Sequence, residues 1–183
     1  MTLTQPGQAM LKGLPCPDCA ITLTLTHGQH LVLTEVAHGT PTERITQRLR
    51  AGQNAVRTST DRDRAGADAI RDVVQALGAT GRPHAVDVAC RTKLLVPPRL
   101  RPPEDGIPEP LRRTAELLAD GLEVRPIARK LGLAVETVNA RLKRLRKALG
   151  VENSPNLIFC LHAIGELPVH HPCPCRPRRA RNR

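Results

Sequence analysis

Aromatic side chains are almost absent from this chain, whose 183 residues include one Phe and neither Trp nor Tyr. A large aromatic core is therefore excluded, and Leu, Ile, Val and Ala must supply the buried surface. The same shortage argues against proteins that bind RNA or single strands by stacking bases on aromatic rings. An RNA-binding or ribosome-associated protein is accordingly disfavoured.

Long apolar runs and catalytic motifs are also missing. No stretch approaches the roughly 20 apolar residues of a membrane span, and the first residues, MTLTQPGQAMLKG, lack the basic-then-apolar pattern of a secretory signal. We find no phosphate-binding glycine loop, nucleophile elbow or paired carboxylates on an ordered element. The sequence therefore predicts a cytoplasmic protein with reduced thiols, no membrane association and no enzymatic activity.

Positive charge is plentiful. The chain has 28 Lys and Arg against 17 Asp and Glu, a net charge of +11 and a pI of about 10.4. Such a balance favours polyanionic partners, because each phosphate neutralised by Lys or Arg releases counterions. Nucleic acid is the leading partner, with an anionic membrane surface as the alternative.

Hydrophobic periodicity and turn residues predict an all-α protein with five segments. Residues 1–20 form a flexible arm, and residues 1–18 should lack regular structure. Two four-helix segments, 21–95 and 111–167, are joined by a semi-rigid linker, 96–110, which holds six prolines. The Pro- and Arg-rich tail, 168–183, should be disordered and add salt-sensitive affinity for DNA.

Helix boundaries in the two segments follow from caps and apolar stripes. In the first segment, Leu31, Val32, Glu35 and Val36 fit one amphipathic helix that ends at Gly39. A second begins near 42, and two more are expected over 62–77 and 83–95. The second segment should contain helices over 111–118, 124–131, 135–149 and 155–164.

An internal repeat relates the two segments. Gly39, Ile45, Leu49 and Val56 match positions 82 residues later, and Leu77-Gly78 and Pro83 match positions 72 residues later. The first segment therefore carries ten extra residues, placed within 61–72, which should lengthen its third helix. Two interpretations remain open: a duplicated four-helix unit, or chance agreement between two short helical bundles.

Residues 127–151 read as a short helix, a glycine turn and a long basic helix. This is the pattern of a helix-turn-helix, whose second helix enters the DNA major groove. Eight basic residues stand against one acid, Glu136, between Arg125 and Lys147. Val138, Leu142, Leu145 and Leu149 are spaced for burial, which leaves the cations on the opposite face.

Residues 107–167 resemble the LuxR/GerE-type helix-turn-helix domain of bacterial transcription regulators. The resemblance is carried by Ala119, Asp120, Gly121, Ile127, Ala128, Leu131, Gly132, Leu133, Thr137, Val138, Leu145, Leu149, Gly150 and Val151. Residues 25–95 are similar but more divergent. The resemblance implies a sequence-specific DNA-binding regulator of transcription, in which the last helix, 155–164, pairs either two chains as a homodimer or the two copies.

The sequence departs from the family at identifiable positions. Pro108 replaces a Thr at the start of the first helix, and Ala134 replaces the Ser or Thr that would cap the recognition helix, a loss of about 1 kcal/mol. In the first copy, Arg50 stands in place of the turn glycine. These changes leave DNA binding by the first copy in question.

The recognition helix predicts individual DNA contacts. Residues near its start should face base edges or the nearest phosphates: Thr137, Asn139, Ala140 and Arg141. Arg141 could read guanine and Asn139 adenine. The remaining cations should hold backbone phosphates, which positions the helix without reading sequence: Arg129, Lys130, Lys143, Arg144 and Lys147.

Cysteine and histidine spacing leaves a zinc site open. Cys16 and Cys19 have the spacing of a zinc half-site, and His27 and His30 could complete four ligands. One CxxC is a weak signal, so free thiols are favoured and no cofactor is expected. Cys90 and Cys160 are expected as small core residues of the last helices.

A second functional class competes with the DNA-binding regulator. In this alternative, the divergent first copy is a protein-interaction module that contacts RNA polymerase or a sigma factor, with only non-specific DNA binding elsewhere in the chain. Sequence preference in a salt-titrated binding assay separates these two hypotheses.

Overall fold

A computed structural model describes residues 10–15, 22–51 and 59–167. Within these ranges it contains a two-stranded sheet and eight helices. The strands are β1 (Met10–Lys12) and β2 (Thr24–Thr26), and the helices of the first half are α1 (His27–Ala37), α2 (Thr42–Ala51), α3 (Ser59–Ala76) and α4 (Arg82–Arg91). Those of the second half are α5 (Glu109–Ala119), α6 (Val124–Leu131), α7 (Val135–Ala148) and α8 (Ser154–Ala163).

The described residues are mostly helical, which confirms the all-α prediction in part, but the small sheet departs from it, and the prediction of no regular structure over 1–18 is wrong for β1. Met10–Lys12 pairs antiparallel with Thr24–Thr26, and Leu11 lies opposite Leu25. The strand is held further by Gly13 N–H, which donates to Leu23 O, and by Leu14 N–H, which donates to Thr92 O. The rest of the 1–20 arm, the residues at 52–58 (with Val56 of the repeat), the side chain of Arg50 and the 168–183 tail lie outside the description.

Two helix details differ from the prediction. Leu31, which fits the amphipathic pattern of α1, is nevertheless 51 % exposed, because the helix packs through Val32, Leu33, Val36 and Ala37. Helix α4 ends at Arg91 rather than near 95, because Lys93 adopts a left-handed backbone with φ of +59°.

The two halves share one packing scheme. Helix α3 packs on α1 and α2, just as α7 packs on α5 and α6, and the last helix of each half contacts the third. Helix α3 has 18 residues and α7 has 14, so the third helix of the first half is longer by four residues (18 − 14), fewer than the ten extra residues counted in the sequence. The two halves therefore agree both in the order of their helices and in which of these helices are in contact.

Helices α4 and α8 form the centre of the molecule. They pack on each other, and each also reaches the first helix of the other half, α4 on α5 and α8 on α1. Six consecutive residues of α4, from Ala85 to Cys90, are buried, so this helix has protein on all sides. In α8 the buried residues include Leu157, Ile158 and Phe159.

Equivalent hydrogen bonds join the halves at both ends of this pair. Asn153 Nδ2 donates to Gly39 O at 2.8 Å, and Thr80 Oγ1 donates to Gly121 O at 2.8 Å. Gly39 and Gly121 end the first helix of each half with φ of +80° and +83°. A Cβ at Gly121 would lie 2.3 Å from Thr80 Oγ1, and one at Gly39 would lie 2.9 Å from Asn153 Nδ2. Both glycines are therefore required by conformation and by space.

A buried polar network crosses the same boundary. Asp87 on α4 is 1 % exposed; its Oδ1 accepts from His162 Nε2 on α8 at 2.9 Å, and its Oδ2 lies 2.8 Å from Arg91 Nη2. Arg91 Nη2 also lies 3.9 Å from Asp120 Oδ1 in the second half. Because charges buried without partners are costly, this network favours one relative placement of the halves.

The linker runs along the second half without regular structure before α5. Leu100 N–H donates to Ala163 O at the end of α8, and Glu109 and Pro110, predicted as linker, form the first turn of α5. Among the helices within the described ranges, none has the length and apolar character needed to cross a membrane.

Loss of Asn153 should weaken the boundary between the halves. Asn153→Ala removes the Oδ1 that caps α8 by accepting from Asn156 N–H, together with the bond to Gly39 O. We expect a loss of about 2 kcal/mol in the free energy of unfolding, measured by urea denaturation. The exposed Asn139→Ala on α7 is the control and should lose nothing; equal stability of both variants would contradict this role.

Breaking the buried network should cost more than breaking a surface ion pair. Asp87→Ala leaves Arg91 buried without the carboxylate of its ion pair and His162 without its hydrogen-bond acceptor, and we expect a loss of about 3–5 kcal/mol. Asp68, 50 % exposed in its side chain and paired with Arg71, provides the matched variant Asp68→Ala, with a loss below about 1 kcal/mol. Denaturant midpoints that shift alike in the two variants would show that the network does not hold the halves.

Candidate nucleic-acid interface

The turn between α6 and α7 is defined by Gly132. Helix α6 ends where Gly132 takes a left-handed conformation with φ of +65°, and Leu133 N–H donates back to Ala128 O at 2.9 Å. This is the bond pattern of a glycine-terminated helix. Because Ile127 and Ala128 are buried beneath the turn, α6 fixes the position at which α7 begins.

Helix α7 lies with one side in the core. Val138, Leu142 and Leu145 are 0 %, 3 % and 1 % exposed, and Leu149 is half-buried. The predicted buried stripe is thereby confirmed for its first three members. The opposite side is exposed at Thr137, Asn139, Ala140, Lys143, Arg144 and Lys147.

The cations of α6 and α7 together form what we call the basic surface. Its members are Arg125, Arg129, Lys130, Arg141, Lys143, Arg144, Arg146 and Lys147, of which all but Arg141 and Arg146 are exposed. Throughout the described part of the chain, the ion pairs formed by arginine belong to other residues, such as Arg48, Arg71, Arg91, Arg112 and Arg113. With Glu136 the lone acid on these two helices, the positive potential is not neutralised within the described ranges.

Arg141 is placed differently from the other cations. Its side chain is partly covered, and Nη1 donates to Pro110 O at the start of α5 over 3.3 Å. This bond is longer than the usual 2.7–3.2 Å range for N–H···O. The sequence could not show this partner, because Pro110 lies 31 residues away and meets α7 only through the packing of α5.

A concavity of about 680 Å³ lies where α6 meets the start of α7. Arg125 and Arg129 line it from α6, with Gly132, Leu133, Ala134 and Val135 from the turn and α7. The methyl side chain of Ala134 cannot accept a hydrogen bond, so no N-cap side chain bonds to the first N–H groups of α7. Two guanidinium groups beside a helix N-terminus are suited to an anion such as a phosphate.

The candidate zinc ligands are not brought together by the described residues. Cys16 and Cys19 lie outside the description, His27 is exposed, and His30 Nε2 lies 3.0 Å from Leu94 O. No cluster of three or more possible metal ligands occurs within 10–15, 22–51 and 59–167. The zinc hypothesis therefore stays a prediction that depends on the two cysteines.

The other thiols are in packed surroundings. Cys90 is buried, as predicted, and Cys160 is half-buried. Burial, and then the nearby Asp87 carboxylate, raise the pKa of the Cys90 thiol to about 12. Burial also raises the pKa of Cys160. Neither thiol is therefore ionised to a reactive thiolate at neutral pH.

A capping side chain at residue 134 should stabilise the start of α7. Ala134→Ser supplies an oxygen that accepts from the free N–H groups, and we expect a gain of about 1 kcal/mol in the free energy of unfolding, measured by urea denaturation. Ala134→Val has no hydrogen-bonding group and is the control. A serine variant no more stable than the valine variant would contradict this assignment of the cap.

Comparison with known proteins returns no match: no family model, curated protein or solved structure is significantly similar to the chain. Any function must accordingly be argued from the basic surface and its geometry.

Proposed function

We propose that this protein is a sequence-specific regulator of transcription that binds double-stranded DNA through a LuxR-type helix-turn-helix. The observation that carries the proposal is the basic surface on α6 and α7. Within the described part of the chain its cations form no ion pair with a carboxylate, and those on α7 lie opposite a buried stripe, after a glycine turn. A basic helix held in this way suits the major groove of DNA.

Within the proposed complex, the start of α7 reads sequence. The side chains of Thr137, Asn139 and Ala140 are exposed to solvent at this end of the helix. Arg141 joins them by exchanging its long bond to Pro110 O for the O6 and N7 acceptors of guanine, which offer bidentate geometry. Lys143, Arg144 and Lys147 then lie on the same exposed side and bind phosphates.

The concavity beside α6 extends the contact with the backbone. A phosphate placed there meets Arg125, Arg129 and the N-terminus of α7. Lys130 is exposed at the end of α6 and contributes to the same electrostatic attraction. The protein thus acts as a cytoplasmic, non-catalytic member of the LuxR/GerE-type regulators, with two tandem four-helix units.

Two substitutions on α7 separate base reading from phosphate binding. Arg141→Ala should weaken binding to a selected duplex by about 1–3 kcal/mol, roughly 5- to 150-fold, and relax the preference at one base pair. Lys143→Ala should weaken binding to all duplexes alike and reduce the salt dependence by about one phosphate contact. Fluorescence anisotropy with selected and random duplexes, over a salt series, measures both effects.

Arg113→Ala is the matched control, because Arg113 is an exposed arginine on α5 that is paired with Glu116. It should bind every duplex as the unmodified chain does. Unchanged affinity in both the Arg141 and Lys143 variants would contradict docking through α7. Salt-sensitive binding with no preference between selected and random duplexes would instead favour the protein-interaction module, with RNA polymerase or a sigma factor as its partner.

A further inference from the structure

The surface through which two chains could pair by their last helices is already occupied. In α8 no residue is fully exposed, and in α4 Arg82 alone is. The two helices bury their apolar residues on each other and on the first helices of the opposite halves. Neither helix therefore has a free face to offer to a second copy of the chain.

The contacts between the halves repeat as in a symmetric dimer. Thr80, just before α4, donates a hydrogen bond to Gly121, the glycine that ends the first helix of the second half. Asn153, at the start of α8, donates one to Gly39, the glycine that ends the first helix of the first half. In dimers of identical subunits such reciprocal contacts arise from a two-fold axis. In this protein, both of these contacts are made within a single chain.

The third helices differ in charge at matching positions. With Leu77 placed on Leu149, 72 residues later, Ile70 and Val73 match Leu142 and Leu145, and all four are buried. The register is therefore the same in both helices. This register corrects the predicted position of the ten extra residues, which must precede Ala69 instead of extending to residue 72. On the remaining sides, the cations of α7 at 141, 143, 144, 146 and 147 are matched in α3 by Ala69, Arg71, Asp72, Val74 and Gln75.

The single cation retained in this part of α3 is already engaged. Arg71 corresponds to Lys143, and its Nη1 lies 2.7 Å from Asp68 Oδ1. Asp72 reverses the charge of its counterpart, Arg144, and would repel a phosphate. Only one of the two third helices therefore has the charge that a DNA groove requires.

We infer that the chain is its own dimer partner, and that it binds DNA as a monomer through α7 alone, at one non-palindromic site. The first half takes the place of a second subunit by covering α8, without reading a second half-site. This inference rests on the proposed function, since it concerns how the basic surface meets DNA. This way of binding differs from that of dimeric helix-turn-helix proteins, which contact two half-sites about 10–10.5 base pairs apart.

Molecular mass and site selection test the inference on the full chain. Light scattering should give 20.0 kDa for the free protein, and one chain per duplex when bound to a selected site. Selection from random duplexes should return one short motif without an inverted repeat. A 2:1 complex, or a palindromic motif with half-sites about one helical turn apart, would overturn the inference while leaving DNA binding intact.

Matched substitutions on α3 and α7 provide the second test. Lys143→Ala should reduce the slope of log affinity against log salt by about 0.9, the value for one phosphate contact on duplex DNA. Arg71→Ala, its counterpart, should leave affinity and slope unchanged. An equal loss in both would show that both third helices contact DNA, and would overturn the inference. If the unmodified chain shows no preference for any duplex, the proposed function itself fails, and the inference with it.

Discussion

The packing of α4 against α8 is the contact on which the rest of the structure depends. Each helix alone is too short and too apolar to be stable in water, because isolated helices of about ten residues are marginal and these would expose most of their apolar side chains. When they pack on each other, the two helices complete the hydrophobic core of both halves. The buried residues of α4 include Ala85, Val86, Val88 and Ala89. Because their side chains are small, the neighbouring helices can approach α4 closely.

The scarcity of aromatic residues makes this contact more demanding. The chain's one Phe, Phe159, lies in α8 with its ring 5.2 Å from that of His38, on the other half. Elsewhere in the core, aliphatic side chains fill the space, and they impose few directional constraints on how helices meet. The pairing of Asp87 with His162 and Arg91 provides such a constraint, because a shifted interface would leave these buried groups unpaired. Stability and specificity are thus supplied by different residues of the same two helices.

The two halves that pack on this central pair differ in the charge of their third helices. The second half holds the basic surface, whose cations face outward because Val138, Leu142 and Leu145 face inward. In the first half, α3 likewise buries Ile70 and Val73, but its outward side between Ala69 and Gln75 carries the single cation Arg71. Packing constrains the buried positions of both helices, whereas charges on an exposed helix side contribute little to stability, so the two halves can differ there.

Much of the local structure could be predicted from the sequence, because it depends on neighbours in the chain. Gly39, Gly121 and Gly132 end helices where they were expected to, and the spacing of Val138, Leu142 and Leu145 identifies their buried side. The small sheet was missed because each strand has only three residues, and the eleven residues between them include a Pro- and Cys-rich segment, so the sequence shows no usable periodicity. Leu31 is exposed although it fits the amphipathic pattern, because the buried side of α1 is decided by which helices lie against it.

The sequence by itself determined the helices, the turn at Gly132 and the accumulation of charge on α6 and α7, since these follow from periodicity, capping and composition. Only the tertiary structure decided that the last helices pair within the chain, that Asp87 meets His162 from 75 residues away, and that Arg141 reaches Pro110. These contacts join segments far apart in sequence, and apolar helix faces of similar composition do not specify their partner until the whole core is assembled.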